Sequence, residues 1–148
     1  MFQKFLLRIK SNQNPIIRSN GLFVRDYIYV KDVVDAYLNL AEKMDDKNII
    51  GQSFNFSTDQ PFSVLDIAQE IIDLMDAKNL RPVIQNQATN EIPEQHLSSK
   101  KAKEILGWQA KYGVKLGLKE TVEWYKSFFE NKNNKINYEK NINSCCML

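Results

Sequence analysis

The chain has 148 residues, 43% hydrophobic and 26% charged, enough for one domain with its own core. Its formal net charge is +2, and the excess lies after Glu130, in Lys132, Lys135 and Lys140 against Glu139. A balanced body gives no electrostatic footprint for nucleic acid, no apolar run approaches the roughly 20 residues that cross a bilayer, and the start lacks signal-peptide order.

Phe2, Phe5, Leu6 and Ile9 recur at helical spacing and predict a short amphipathic helix over 2–10. Pro15 to Arg18 reads as a strand, followed by a turn at 19–21 in which Gly21 supplies positive φ. A second strand is predicted over 26–30. Asp32 is then placed as the N-cap of a helix reaching about residue 44, with Val33, Tyr37, Leu40, Ala41 and Met44 on one face. Residues 53–56 predict a strand with Phe54 and Phe56 on one side. Ser63 caps the next helix, whose buried stripe is Val64, Ala68, Ile71 and Met75, with Leu65 and Ile72 alongside. Pro82 to Gln85 is a further strand candidate, and 88–95 reads as a polar loop. A short helix over 100–106 ends at Gly107. Val114, Leu118, Val122, Tyr125 and Phe129 define a long helix, and 131–148 reads as a disordered Asn/Lys-rich tail. Such strands are few and too short for a convincing sheet alone.

Arg25 is the foremost site candidate. It lies between the Gly21 turn and a strand, and its planar fork suits two phosphate oxygens. The other reading is a local ion pair with an acid such as Asp26. Arg18, at the end of its strand, is either a ligand contact or a surface arginine. Tyr27 and Lys31 spell Y-x-x-x-K, but on a strand they share no helical turn and are not read as catalytic. The five glycines never take the spacing of a dinucleotide-binding turn. His96 is the only histidine, and the two cysteines, Cys145 and Cys146, are adjacent, so no metal spacing or disulfide framework arises. A reducing, cytoplasmic setting is expected. The last four residues, Cys145 to Leu148, outline a prenylation box without a polybasic second signal, and an incidental tail is the preferred reading.

The stretch Gly21-Leu-Phe-Val-Arg25-Asp26-Tyr-Ile-Tyr-Val-Lys31-Asp32-Val-Val-Asp-Ala-Tyr-Leu38 resembles a signature of the NAD(P)-dependent sugar-nucleotide epimerases and dehydratases, the extended short-chain dehydrogenase family. The strand after Gln52 and the block from Pro93 to Trp108 resemble the same family in the same order. The resemblance implies an α/β fold over 1–130: the C-terminal, substrate-side portion of a Rossmann-type enzyme, most like a 4,6-dehydratase and next a 4-epimerase. It implies that Arg25 reaches the diphosphate of a nucleotide-diphosphate sugar, with Arg18 beside the nucleotide. It also implies that NAD or NADP and the catalytic Y-x-x-x-K helix belong to a cofactor-binding half that this sequence does not contain. Expected readings are therefore a part inactive alone, or a binding module that complements a separately encoded half. Many members carry a second phosphate-binding arginine before the lysine-alanine pair. This chain has Thr89, Asn90 and Glu91 in that neighbourhood.

Overall fold

The structure, a computed structural model, describes residues 2–88 and 91–130. In chain order it contains α1 (Phe2–Lys10), β1 (Ile16–Ile17), β2 (Val24–Arg25), α2 (Val30–Glu42), β3 (Phe62–Ser63), α3 (Val64–Leu74), β4 (Val83–Ile84), β5 (Glu94–Gln95), a π turn (Ala102–Leu106) and α4 (Gly113–Glu130). The expected tail, and with it Cys145, lies outside the described residues.

The main core is helical. Phe5, Leu6 and Ile9 of α1 meet Ile67, Ala68, Ile71 and Ile72 of α3, and Val114, Leu118, Val122 and Phe129 of α4 close the cluster. The 3.6-residue period thus places each stripe where expected. Ile67 joins the α3 stripe, whereas Val64 and Met75 lie at its margin. The start of α3 is fixed by a capping box: the Ser63 hydroxyl accepts from Asp66 N at 3.0 Å, and the Asp66 carboxylate accepts from Ser63 N at 3.1 Å.

Two small sheets lie against this core. In one, β1 and β4 run parallel, with Ile16 opposite Val83. In the other, β2 is central, antiparallel to β3 and parallel to β5. Gly21 turns the chain between them at φ +84°, and its carbonyl accepts from Leu65 N at 3.0 Å. One of the orphan N–H groups of α3 is thereby satisfied, and β2 is tied to the start of α3.

Several expectations are corrected. The second strand occupies 24–25 rather than 26–30, because Val24 and Arg25 are the residues that find partners on both sides. The following helix begins at Val30, so Asp32 lies inside its first turn and the N-cap is Tyr29. Asp32 is instead buried, and its carboxylate accepts from Lys111 N at 2.7 Å and from Tyr112 N at 3.3 Å. The predicted face of α2 holds only in part: Leu40 packs on a second apolar cluster and Val33 is half-buried, but the other three residues are exposed. Tyr37 is 66% and Met44 64% exposed, and Ala36 is the apolar residue of α2 that is buried.

Residues 53–56 form no strand, since no described strand pairs with them. Phe54 and Phe56 still share a side, packing with Ala36, Leu106 and Trp108 in a second cluster. The polar loop at 88–95 contains a strand, β5, recruited by the free edge of β2. The short helix near Gly107 closes as a π turn, and Gly107 caps it at φ +66°. Among the described residues no helix is long and apolar enough to cross a membrane.

Candidate functional site

Arg25 stands on the central strand of the three-stranded sheet, with Phe62 opposite on β3 and Gln95 on β5. Its Nη1 donates to the Val24 carbonyl at 2.7 Å and more weakly to the Pro93 carbonyl at 3.5 Å. Its Nη2 lies 3.5 Å from the Glu91 carboxylate, and the guanidinium sits 5.6 Å from the centre of the Phe23 ring. Three sides of the fork are therefore shaped by backbone and ring, and one is met by an acid. A local ion pair does form, but its acid is Glu91, 66 positions along the chain, and not Asp26. The Asp26 carboxylate turns to the chain after β5, accepting from Leu97 N at 3.1 Å. Its other oxygen is buried and has no partner among the described residues.

A cleft of about 210 Å³ opens beside Asp26, lined also by Ser57, Asp59, His96 and Ser98. Asp59 sits in the left-handed region, φ +54°, and its carboxylate accepts from Ser99 N at 3.0 Å and from the Ser99 hydroxyl. Those hydrogen bonds, the hydroxyl's first, hold the Asp59 carboxyl below its usual range. His96 lies 3.3 Å from Glu94 through Nδ1. Among the described residues no group of His, Cys, Asp and Glu is arranged to hold a metal ion.

Arg18 follows β1 in the other sheet, and its side chain is exposed. Its carbonyl accepts from Gln87 N at 2.6 Å and Ala88 N at 3.1 Å. The two arginines thus belong to different sheets, yet both border the β4–β5 connection: Arg18 holds its start by backbone, Arg25 its end through Glu91 and Pro93.

Tyr27 and Lys31 turn to different partners, Phe2 and Glu120. Tyr27 packs edge-on against Phe2 at 5.6 Å, its hydroxyl buried and unpartnered among the described residues. Burial pushes its phenol above the ordinary value, against a smaller downward pull from Arg25. A tyrosine base needs the opposite shift. Lys31 donates to Glu120 at 2.6 Å, and Tyr29 donates to the same carboxylate oxygen at 2.9 Å. Lys31 first, and then Tyr29, holds the Glu120 carboxyl below its usual range. With the Tyr112 ring tilted against Tyr29 at 5.0 Å, this group pins the start of α2 to α4. The sequence offers no sign of Glu91 or Glu120 as partners, since each pairing spans more than 60 positions.

A family model described as GDP-mannose 4,6 dehydratase matches residues 1–121. The dTDP-D-glucose 4,6-dehydratase of Homo sapiens is 32% identical over 136 residues, covering 88% of this chain and 38% of that protein. A UDP-glucose 4-epimerase of Mycolicibacterium smegmatis is 30% identical over 111 residues, covering 75% of this chain and 34% of that protein. Among solved structures, the UDP-glucose 4-epimerase of Thermotoga maritima with UDP-glucose superposes with a TM-score of 0.71 at 29% identity, over 84% of this chain and 38% of that one. The dTDP-glucose 4,6-dehydratase of Bacillus anthracis in complex with NAD shares the fold, with a TM-score of 0.70 at 22% identity. The chain spans less than two fifths of the length of these relatives. By its residues 1–121 and by its fold, which matches the C-terminal portion of Rossmann-type extended short-chain dehydrogenases, the chain belongs to the NAD-dependent sugar-nucleotide epimerase/dehydratase family.

Proposed function

We propose that this chain is the nucleotide-sugar-binding part of an NAD(P)-dependent 4,6-dehydratase or 4-epimerase, acting in the cytoplasm and inactive alone. One observation carries the reading. Arg25 stands on the central strand β2, its fork held in place by the Val24 and Pro93 carbonyls and the Phe23 ring. An arginine so fixed matches a diphosphate in charge and geometry. Its relative from Thermotoga maritima was solved with UDP-glucose. Arg18, exposed at the other end of the β4–β5 connection, is the second proposed contact, toward the nucleotide.

In this reading the cofactor, bound by residues outside the matched portion, supplies the hydride acceptor. The residues of this chain grip the diphosphate and nucleotide, and that binding energy from non-reacting groups positions the sugar. Calorimetric titration of the purified full chain with UDP and with dTDP tests it. Arg25→Gln is expected to weaken binding by about tenfold or more, since a charge-assisted fork is lost. Equal affinity in Arg25→Gln would remove Arg25 from the site. Conversion of dTDP-glucose or UDP-glucose by the purified chain with NAD would contradict inactivity alone.

A second reading, a module that complements a separately encoded cofactor-binding half, has its own observation. Val30, Val34, Tyr37 and Leu38 lie exposed along α2, an apolar surface suited to another body. Recovery of dehydratase or epimerase activity on mixing with such a half supports it. Failure to associate with any cofactor-binding segment of a relative counts against it.

A further inference from the structure

The β4–β5 connection returns to the sheet carrying an acid at the position that matters. Glu91 sits three residues before β5, and its carboxylate is the anion that Arg25 meets, at 3.5 Å. Backbone fixes this placement. The Pro93 carbonyl, two residues on, accepts both from Val24 N at 2.9 Å and from Arg25 Nη1 at 3.5 Å. At its other end the connection is tied by Gln87 N and Ala88 N to the Arg18 carbonyl. The carboxylate is thus delivered to Arg25 by a segment anchored on both sides.

Two anions cannot share one fork without repulsion, and the Arg25 side chain is 25% exposed against 52% for Glu91. The acid is the more solvated partner and the one free to swing away. We infer that Glu91 is an affinity- and specificity-determining residue: it occupies Arg25 as an internal stand-in for phosphate and must be displaced before a diphosphate binds. The inference rests on Arg25 being the phosphate ligand proposed above. A monoanionic group gains too little from Arg25 to displace a carboxylate, whereas a diphosphate offers more charge and a bidentate pair. Glu91 therefore biases the site against singly charged ligands and lowers its affinity for all of them.

The test is calorimetric titration of the full chain with inorganic pyrophosphate, UDP and acetate at low and high salt. Glu91→Gln keeps size and hydrogen bonding but removes the charge. It is expected to bind pyrophosphate and UDP about three- to tenfold more tightly, the scale of one exposed ion pair plus relief of repulsion. The gain shrinks in high salt, and acetate binding becomes measurable or rises. Glu91→Asp, which keeps the charge, is expected to stay near the parent. No gain in Glu91→Gln, whether both proteins bind equally or neither binds, overturns the inference. The double variant Arg25→Gln/Glu91→Gln separates the two layers. If Arg25→Gln abolishes binding in either background while Glu91→Gln gains nothing, Arg25 stands as the ligand and the role of Glu91 falls. If Arg25→Gln changes nothing in either background, the phosphate-binding reading falls with it.

Discussion

Helices α2 and α3 are similar in length, 13 and 11 residues, and both are amphipathic, yet they end in opposite circumstances. In α3 the apolar stripe is covered by α1 and α4, and its first turn is closed by a reciprocal cap. In α2 the first turn has no side-chain cap, its buried residues are Asp32 and Ala36, and Leu38 is 60% exposed. One helix is held by the chain's own core. The other is held at its start by the Lys31–Glu120 ion pair to α4, by hydrogen bonds from the turn before α4 to Asp32, and by Ala36 in a small aromatic cluster. Amphipathicity in a sequence says that a face seeks cover; it does not say which body covers it.

The contrast is broken most forcefully in the core. Ile71→Ala or Ile72→Ala in α3 is expected to cost about 3 kcal/mol, because both side chains are fully buried and leave a cavity. Leu38→Ser in α2 should stay within about 0.5 kcal/mol of the parent in urea unfolding. A large cost at Leu38 would mean that α2 is already covered.

Next in size is Asp32, which does for α2 what packing does for α3. Removing its carboxylate in Asp32→Ala leaves Lys111 N and Tyr112 N without their acceptor. A loss of about 2 kcal/mol is expected, with Asp32→Asn recovering part of it. The join between α2 and α4 can be pressed from the other side through Gly117. A Cβ there would stand 2.7 Å from Tyr29 Cβ. Crowding of this kind costs about 1–3 kcal/mol and outweighs the gain of about 1 kcal/mol from better helix propensity. Gly117→Ala should therefore be less stable by about 1 kcal/mol, read from the urea midpoint.

The smallest expected effect concerns Asp59 beside the cleft. Its carboxyl is held below the usual carboxylate range by hydrogen bonds from Ser99. A depressed carboxyl stabilises the fold above its unfolded pKa, and that stability is lost as pH falls through the lower folded value. Ser99→Ala should thus cost about 1 kcal/mol at neutral pH. The gap to the parent should close in acid, below about pH 4. A gap that is constant with pH would show that Ser99 acts by packing alone.

How much of this was legible in the sequence depends on how local each determinant is. The stripes of α1 and α4, the Ser63 cap, the positive φ at Gly21 and the helix end at Gly107 follow from residues within one or two turns and appear as read, and the α3 stripe does so apart from Ile67, which replaces Val64 and Met75 at its centre. The strands at 16–17 and 83–84 fall inside the predicted 15–18 and 82–85, but the second strand is displaced from 26–30, 53–56 forms none and β5 is unpredicted, because a two-residue strand is defined by its partners as much as by its own residues. Val24 and Arg25 pair with segments about 38 and 70 positions away. Asp32 was assigned to a cap since its local sequence suits one, but burial against the turn before α4 determines its role. At the site, the role proposed for Arg25 rests on its planar fork and on the family resemblance of the motif around it. Its present partner could not be read, because nothing near residue 25 announces Glu91.

Amide hydrogen exchange on the dilute full chain tests the contrast between α2 and α3 most directly. Few buried contacts mean a low free energy of local opening. The amides of 34–40 in α2 are therefore expected to exchange at least about tenfold faster than those of 68–74 in α3, whose opening requires the core to unfold. Equal protection of the two helices would contradict the view that α2 presents an uncovered face.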